Sequence, residues 1–247
     1  MIRYCREKHC GLERVPADIP ISSPSRSKYF NVPATSVMAG TIFEAIAHRA
    51  LCKASCSNAV AASSDGEVQV MHSYEGGTRN APTFSTAIPP SPFGTSVSPP
   101  SIPLLNSGRE VCSINLSHDL NDFWQADNKK YYIPTASNNP FLDSFTITID
   151  PSQTTARISV FQITIAKTHL GSDKGYAQIR NIMHCVRKLN PGFTVTVEYW
   201  LVCPASDSPK EWTWRMPNGW DTNATVNDHR GHVFCLRIPV VSTPPTG

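Results

Sequence analysis

The stretch from Phe145 to Lys167, FTITIDPSQTTARISVFQITIAK, constrains the fold of this chain more than any other. Phe145, Ile147 and Ile149 alternate with Thr146, Thr148 and Asp150. Pro151-Ser152-Gln153-Thr154 breaks the run, and the alternation then resumes. A period of two around a turn predicts a β-hairpin. On its second strand Ile158 and Val160 share one parity, whereas Phe161, Ile163 and Ile165 share the other. A β-bulge would shift the face in this way. A strand covered on both sides would also read as nearly continuous apolar residues. Both alternatives stay open in the sequence.

Further strands are expected at 111–116, 130–133, 193–203, 210–215 and 232–240, bounded by turn residues such as Asn138-Asn139-Pro140, Asn190-Pro191-Gly192 and Pro217-Asn218-Gly219. One helix, Lys174 to Leu189, interrupts them, with Ile179, Ile182, Met183 and Val186 on one side. Six or more strands with one intervening helix predict a mainly β fold, an antiparallel sandwich of jelly-roll or Greek-key type. A doubly wound α/β fold would need several helices between its strands. Composition agrees: 17% charged residues and 21 prolines in 247 suit a loop-rich β protein better than a helical bundle. A chain of this length buries a sizeable core without disulfides or metals.

Residues 1–110 differ from 111–247, the expected β-sandwich domain. The first part reads as an N-terminal extension with one helix at about 36–62, after Pro33 and before Ser63-Ser64-Asp65-Gly66. A short strand at 67–72 follows, then seven prolines between Pro82 and Pro103, spaced by Ser and Thr. Such a segment suits an extended arm rather than a helix or a sheet interior. The chain has no run of eighteen apolar residues for a membrane span, and MIRYCREKHCGLERVPADIP lacks the apolar core of a secretory signal. The expectation is an intracellular protein, in the host cytoplasm or a virion if viral, whose eight cysteines are free thiols.

Five constellations are candidates for chemistry. Cys5, Cys10, Cys52 and Cys56 offer four thiolates in two close pairs, as zinc requires, although free cysteines more often serve as small buried hydrophobes. Asp228 to His232 (DHRGH), with His184 and Cys185, holds groups for a thiol–imidazole pair, yet no nucleophile elbow, HExxH, P-loop or GxGxxG occurs. Asp119, Asp122 and Asp127 could act as paired acids or as caps of a solvated loop. Trp212 and Trp214 share one side of a strand, and with Trp200 and Trp220 they form either a ligand platform or part of a core or subunit interface. Lys174, Arg180, Arg187 and Lys188 give the Lys174–Leu189 helix a basic side suited to phosphates, or to solvent alone. Net charge of +3 neither demands nor excludes nucleic acid. No cofactor motif is recognised.

The arm APTFSTAIPPSPFGTSVSPPSIPLL, the strands FTITID, ARISVFQITIA and FTVTVEYWLVC, and the ending HVFCLRIPVVSTPPTG together resemble the coat-type structural proteins of small RNA viruses. The resemblance is one of style over roughly 160 residues, without a specific motif. It implies a non-enzymatic subunit of a capsid, or one that decorates it, contacting itself, other capsid subunits and RNA. Arg3, Arg6, Lys8 and Arg14 are mixed with Glu7, Glu13 and Asp18, which speaks against a polybasic RNA-packaging arm. A carbohydrate- or ligand-binding sandwich using the tryptophans is the first alternative, and a zinc protein or enzyme the second.

Overall fold

The structure, a computed structural model, describes residues 33–52, 68–74, 83–87, 108–120, 124–136, 139, 141–205, 211–216 and 232–238. Over these residues the chain is mainly β, with two helices and two sheets. The helices are α1 (Pro33–Cys52) and α2 (Asp173–Leu189). The strands are β1 (Val68–Val70), β2 (His72–Tyr74), β3 (Thr83–Ser85), β4 (Glu110–Ile114), β5 (Lys130–Pro134), β6 (Ser144–Asp150), β7 (Thr155–Ile163), β8 (Thr168–Leu170), β9 (Thr194–Pro204), β10 (Thr213–Arg215) and β11 (Val233–Ile238). A seven-stranded sheet has the order β1-β11-β9-β7-β6-β5-β4, and a four-stranded one the order β2-β3-β10-β8.

The expected hairpin is present. β6 and β7 pair from Ser144↔Phe161 to Asp150↔Thr155 without a slip. The turn is closed by Asp150, whose Oδ1 accepts from the Ser152 hydroxyl and from the amides of Ser152 and Gln153. β7 also runs in unbroken register with β9, from Thr155↔Thr194 to Ile163↔Val202. The parity change at Val160 and Phe161 is therefore no bulge. It marks the point where a second face becomes covered.

Two sheets and two helices agree with the expected mainly β, sandwich-like class, but the large sheet is mixed, which corrects the expectation that it is antiparallel. β7 and β9, β9 and β11, and β4 and β5 are parallel neighbours, as are β8 and β10. Parallel neighbours need a crossover of about a dozen residues or more. The helix expected between strands supplies one of them: β7, α2 and β9 form a single βαβ crossover.

Each face of the large sheet has its own core. One buries Phe145, Ile147, Ile158, Val160, Val197 and Tyr199 beneath the apolar side of α2 and beneath Trp212, Trp214 and Met216 of the β10 segment. The other buries Tyr131, Phe161, Trp200, Val202, Phe234 and Leu236 beneath Phe43, Ala47, Ala50 and Leu51 of α1. Elements before residue 110 are built into the same sheets as those after it, since β1 pairs with β11 and β3 with β10. The start of the Pro-rich segment is thus a strand inside the small sheet, a correction explained by Thr83–Ser85 lying between Pro82 and the next proline, Pro89. Residues 88–103, the rest of the expected arm, lie outside the described residues, as does the 53–62 end of the first expected helix.

Helix α2 seats its first turn against the segment before β6. A Cβ on Gly175 would lie 2.0 Å from Phe141 Cβ and 3.0 Å from the Phe141 amide nitrogen. Alanine in a helix interior ordinarily gains about 1 kcal/mol over glycine. Here the clash with backbone outweighs that gain, and Gly175→Ala is expected to cost about 1–3 kcal/mol in urea denaturation. An unchanged or raised midpoint would contradict this packing.

Candidate functional site

On the α1 side of the large sheet, polar and apolar residues are sorted into cross-strand rows. Ser144, Phe161, Trp200 and Phe234 form one row, from β6 to β11, and Ile163, Val202 and Leu236 the next. These lie beneath or beside α1. In the other direction come Thr146, Ser159 and Glu198, then Thr148, Arg157 and Thr196, then Asp150, Thr155 and Thr194. His232, one residue before β11, extends the Glu198 row, because Val233 pairs with Tyr199. Beyond the cover of α1 this polar half forms a cleft of about 460 Å³ lined by Thr148, Asp150, Thr155, Arg157, Thr196, Val197, Glu198 and His232.

The cleft's electrostatics follow from this grid. Glu198 is only 8% exposed, in the middle of a strand. Its Oε1 faces Arg157 Nη1 at 3.4 Å, and its Oε2 accepts from the Ser159 hydroxyl at 3.2 Å. Both contacts are long for charge-assisted bonds, which run about 2.7–2.9 Å from a cationic N–H and about 2.5–2.7 Å from a hydroxyl. Arg157 Nε is buried without a partner among the described residues. Arg109 stands behind Thr148, reaching its Oγ1 at 3.4 Å and clamping the carbonyls of Asn128, Lys130 and Ile147. Burial lowers the Arg109 pKa, and the nearby Arg157 lowers it further. The Ser152 hydroxyl, and the amides of Gln153 and Ser152, hold Asp150 below the usual carboxylate range.

Above the cleft the polar groups are locked. His48 Nδ1 meets the Tyr131 hydroxyl at 2.8 Å, and that hydroxyl meets Ser144 Oγ at 2.5 Å. His48 Nε2 lies 3.5 Å from Glu44. Burial pushes the Tyr131 phenol well above its ordinary range, against the Ser144 hydrogen bond.

The side chains singled out from sequence fall elsewhere. Trp200, Trp212 and Trp214 are buried in the two cores, so they present no platform to a ligand. The sequence places the two β10-segment indoles on one side of a strand, as the structure does, but that side faces inward. Trp220 lies outside the described residues. Cys52 is buried in α1, its thiol 3.7 Å from the Arg49 carbonyl, while Cys5, Cys10 and Cys56 lie outside the described residues. Among the described residues no three His, Cys, Asp or Glu side chains converge on a metal-sized site. Asp119 and Asp127 accept from the amides of Asn115 and Lys129, which makes them turn caps. His184 and Cys185 sit on α2, across the large sheet from His232, so they form no pair with it.

The basic side of α2 is outward. Lys174, Arg180, His184 and Lys188 are exposed and Arg187 is half-buried, opposite Ile179, Ile182, Met183 and Val186. The Arg180 guanidinium lies 5.3 Å from the Tyr176 ring centroid. Arg187 and Lys188 stand in the last turn, where cations complement the carbonyl end of a helix. Lys167 and Arg215 are also exposed, at the adjoining edge of the small sheet. No helix among the described residues is long and apolar enough to cross a membrane.

In comparisons with known proteins, no family model, curated protein or solved structure matches this chain. Arg157 and Glu198 were not singled out in the sequence, although a signal exists: each is a charge at a position of its strand whose parity partners further along are Phe161 and Trp200.

Proposed function

We propose that this chain is a non-enzymatic structural subunit of a larger assembly, of viral capsid or capsid-decorating type, and that it turns the outer side of α2 towards RNA phosphates. Charge segregation carries this reading. Lys167–Leu189 and β10 together hold six Lys or Arg (Lys167, Lys174, Arg180, Arg187, Lys188 and Arg215) against one acid, Asp173. A net positive layer on one side of a nearly neutral molecule attracts polyanions through counterion release. Helix α1 supports the assembly part, because Met38 and Ile42, one turn apart, are 67% and 43% exposed opposite its packed side. Further copies of this chain or other capsid subunits would cover them.

Titration of single-stranded RNA by fluorescence anisotropy, at several salt concentrations, tests the phosphate contact. Removing both charges in Lys174→Ala/Arg180→Ala should lower the magnitude of the salt slope by about 1.4, roughly 0.7 for each lost phosphate. Sedimentation of the full chain with and without RNA tests assembly. An unchanged slope would remove the RNA contact, and a monodisperse monomer at high concentration under both conditions would remove the assembly.

A further inference from the structure

We propose that the polar cleft on the large sheet binds a neutral saccharide. This goes beyond the assembly reading and rests on residues on the other side of the molecule.

The ligand class follows from what the cleft offers. Arg157 and, behind Thr148, Arg109 bring two positive charges; Asp150 and Glu198 bring two negative ones. The balance selects neither an anion nor a cation. The remaining floor is a grid of hydroxyls, Thr148, Thr155 and Thr196, on three adjacent strands. Neighbouring strands lie about 4.8 Å apart, so these groups present alternating donors and acceptors at short intervals. A ligand that matches them must carry many hydroxyls and no net charge.

Two details point to unmet hydrogen-bonding capacity. Among the described residues Glu198 Oε1 meets Arg157 Nη1 at 3.4 Å, and Glu198 Oε2 meets the Ser159 hydroxyl at 3.2 Å, each longer than a well-made charge-assisted bond. A vicinal diol can donate to a carboxylate while accepting from a guanidinium, which makes charge-assisted bonds without bringing a charge of its own. The Val197 side chain points into the core beneath α2, so among the described lining residues an apolar ligand would meet no aliphatic side chain and only the exposed His232 ring at the rim. At about 460 Å³ the space suits roughly two sugar rings.

The test is saturation-transfer NMR on the full chain with neutral disaccharides (lactose, maltose and cellobiose), and with inorganic phosphate as the charged competitor. At least one disaccharide is expected to bind in the millimolar range, unaffected by phosphate. Thr196→Val, at an exposed position, and Glu198→Gln should each weaken it about tenfold or more. Lys174→Ala/Arg180→Ala should leave it unchanged, so failure here and failure of the RNA contact are told apart. If none of the disaccharides binds, if Thr196→Val binds as the parent does, or if phosphate displaces the sugar, the proposal is wrong.

Discussion

Trp214→Ala is expected to lower the stability of the fold by about 3–5 kcal/mol, read as a shift of the urea midpoint at unchanged slope. Trp214 is fully buried at the centre of the three-residue strand β10. Its ring lies 5.5 Å from that of Phe141 and 6.3 Å from that of Tyr199, so it joins the small sheet to the large one through side chains of three different segments. A truncation there removes these ring contacts and leaves a void that the paired strands on either side cannot collapse into. The control is Trp214→Phe. The indole Nε1 is buried with no partner among the described residues, so phenylalanine keeps most of the aromatic packing and removes an unsatisfied donor. It should cost less than about 1.5 kcal/mol. Equal losses in the two variants would mean that the ring packing is not what Trp214 contributes.

The same residue shows where sequence information runs out. Alternation places Trp212 and Trp214 together on one side of a strand, and that placement holds. Which side is the interior depends on what lies opposite, here Phe141 and Tyr199, and the local pattern carries nothing about them. The longer strands and the helix after β8 were legible because period and turn residues are local properties, whereas the three-residue strands β3 and β8 were not. Strand direction was not, because pairing is a long-range choice. β7 reads as half of an antiparallel hairpin, which it is with β6, yet its other neighbour β9 is parallel and reached through α2.

The cleft was half legible. The sequence shows a change of parity at Val160 and Phe161, and the structure converts it into a boundary. Phe161, Trp200 and Phe234 are the first row under α1, whereas Ser159, Glu198 and His232 are the first beyond it. A strand whose one face is polar for half its length and apolar for the other half looks, in one dimension, like a slip of register. Only knowing that a helix covers half of that face separates the two. Three strands make the same change in the same rows, a coincidence that no single strand reveals.

Asp143 provides the second large effect, one that depends on pH. Its Oδ2 accepts from the Ile163 amide at 2.6 Å and from Gln162 Nε2 at 2.7 Å, at the end of β7. Those bonds favour the carboxylate, but burial opposes them and is the larger influence, with Glu44 adding to it, so the pKa rises to about 7. An acid whose pKa is higher when folded binds its proton more tightly in the native state. Stability is therefore greatest below the unfolded value near 4, and declines as pH rises towards 7, by up to about 4 kcal/mol from this group. Asp143→Asn keeps an acceptor for the Ile163 amide and carries no charge at any pH. Urea denaturation of both proteins at pH 4 and pH 8 isolates the contribution, since other titrating groups are common to the pair. The variant should gain on the parent by about 4 kcal/mol at most between the two pH values. A difference that stays constant across that window would show that the two hydrogen bonds outweigh burial and that Asp143 is ionised throughout.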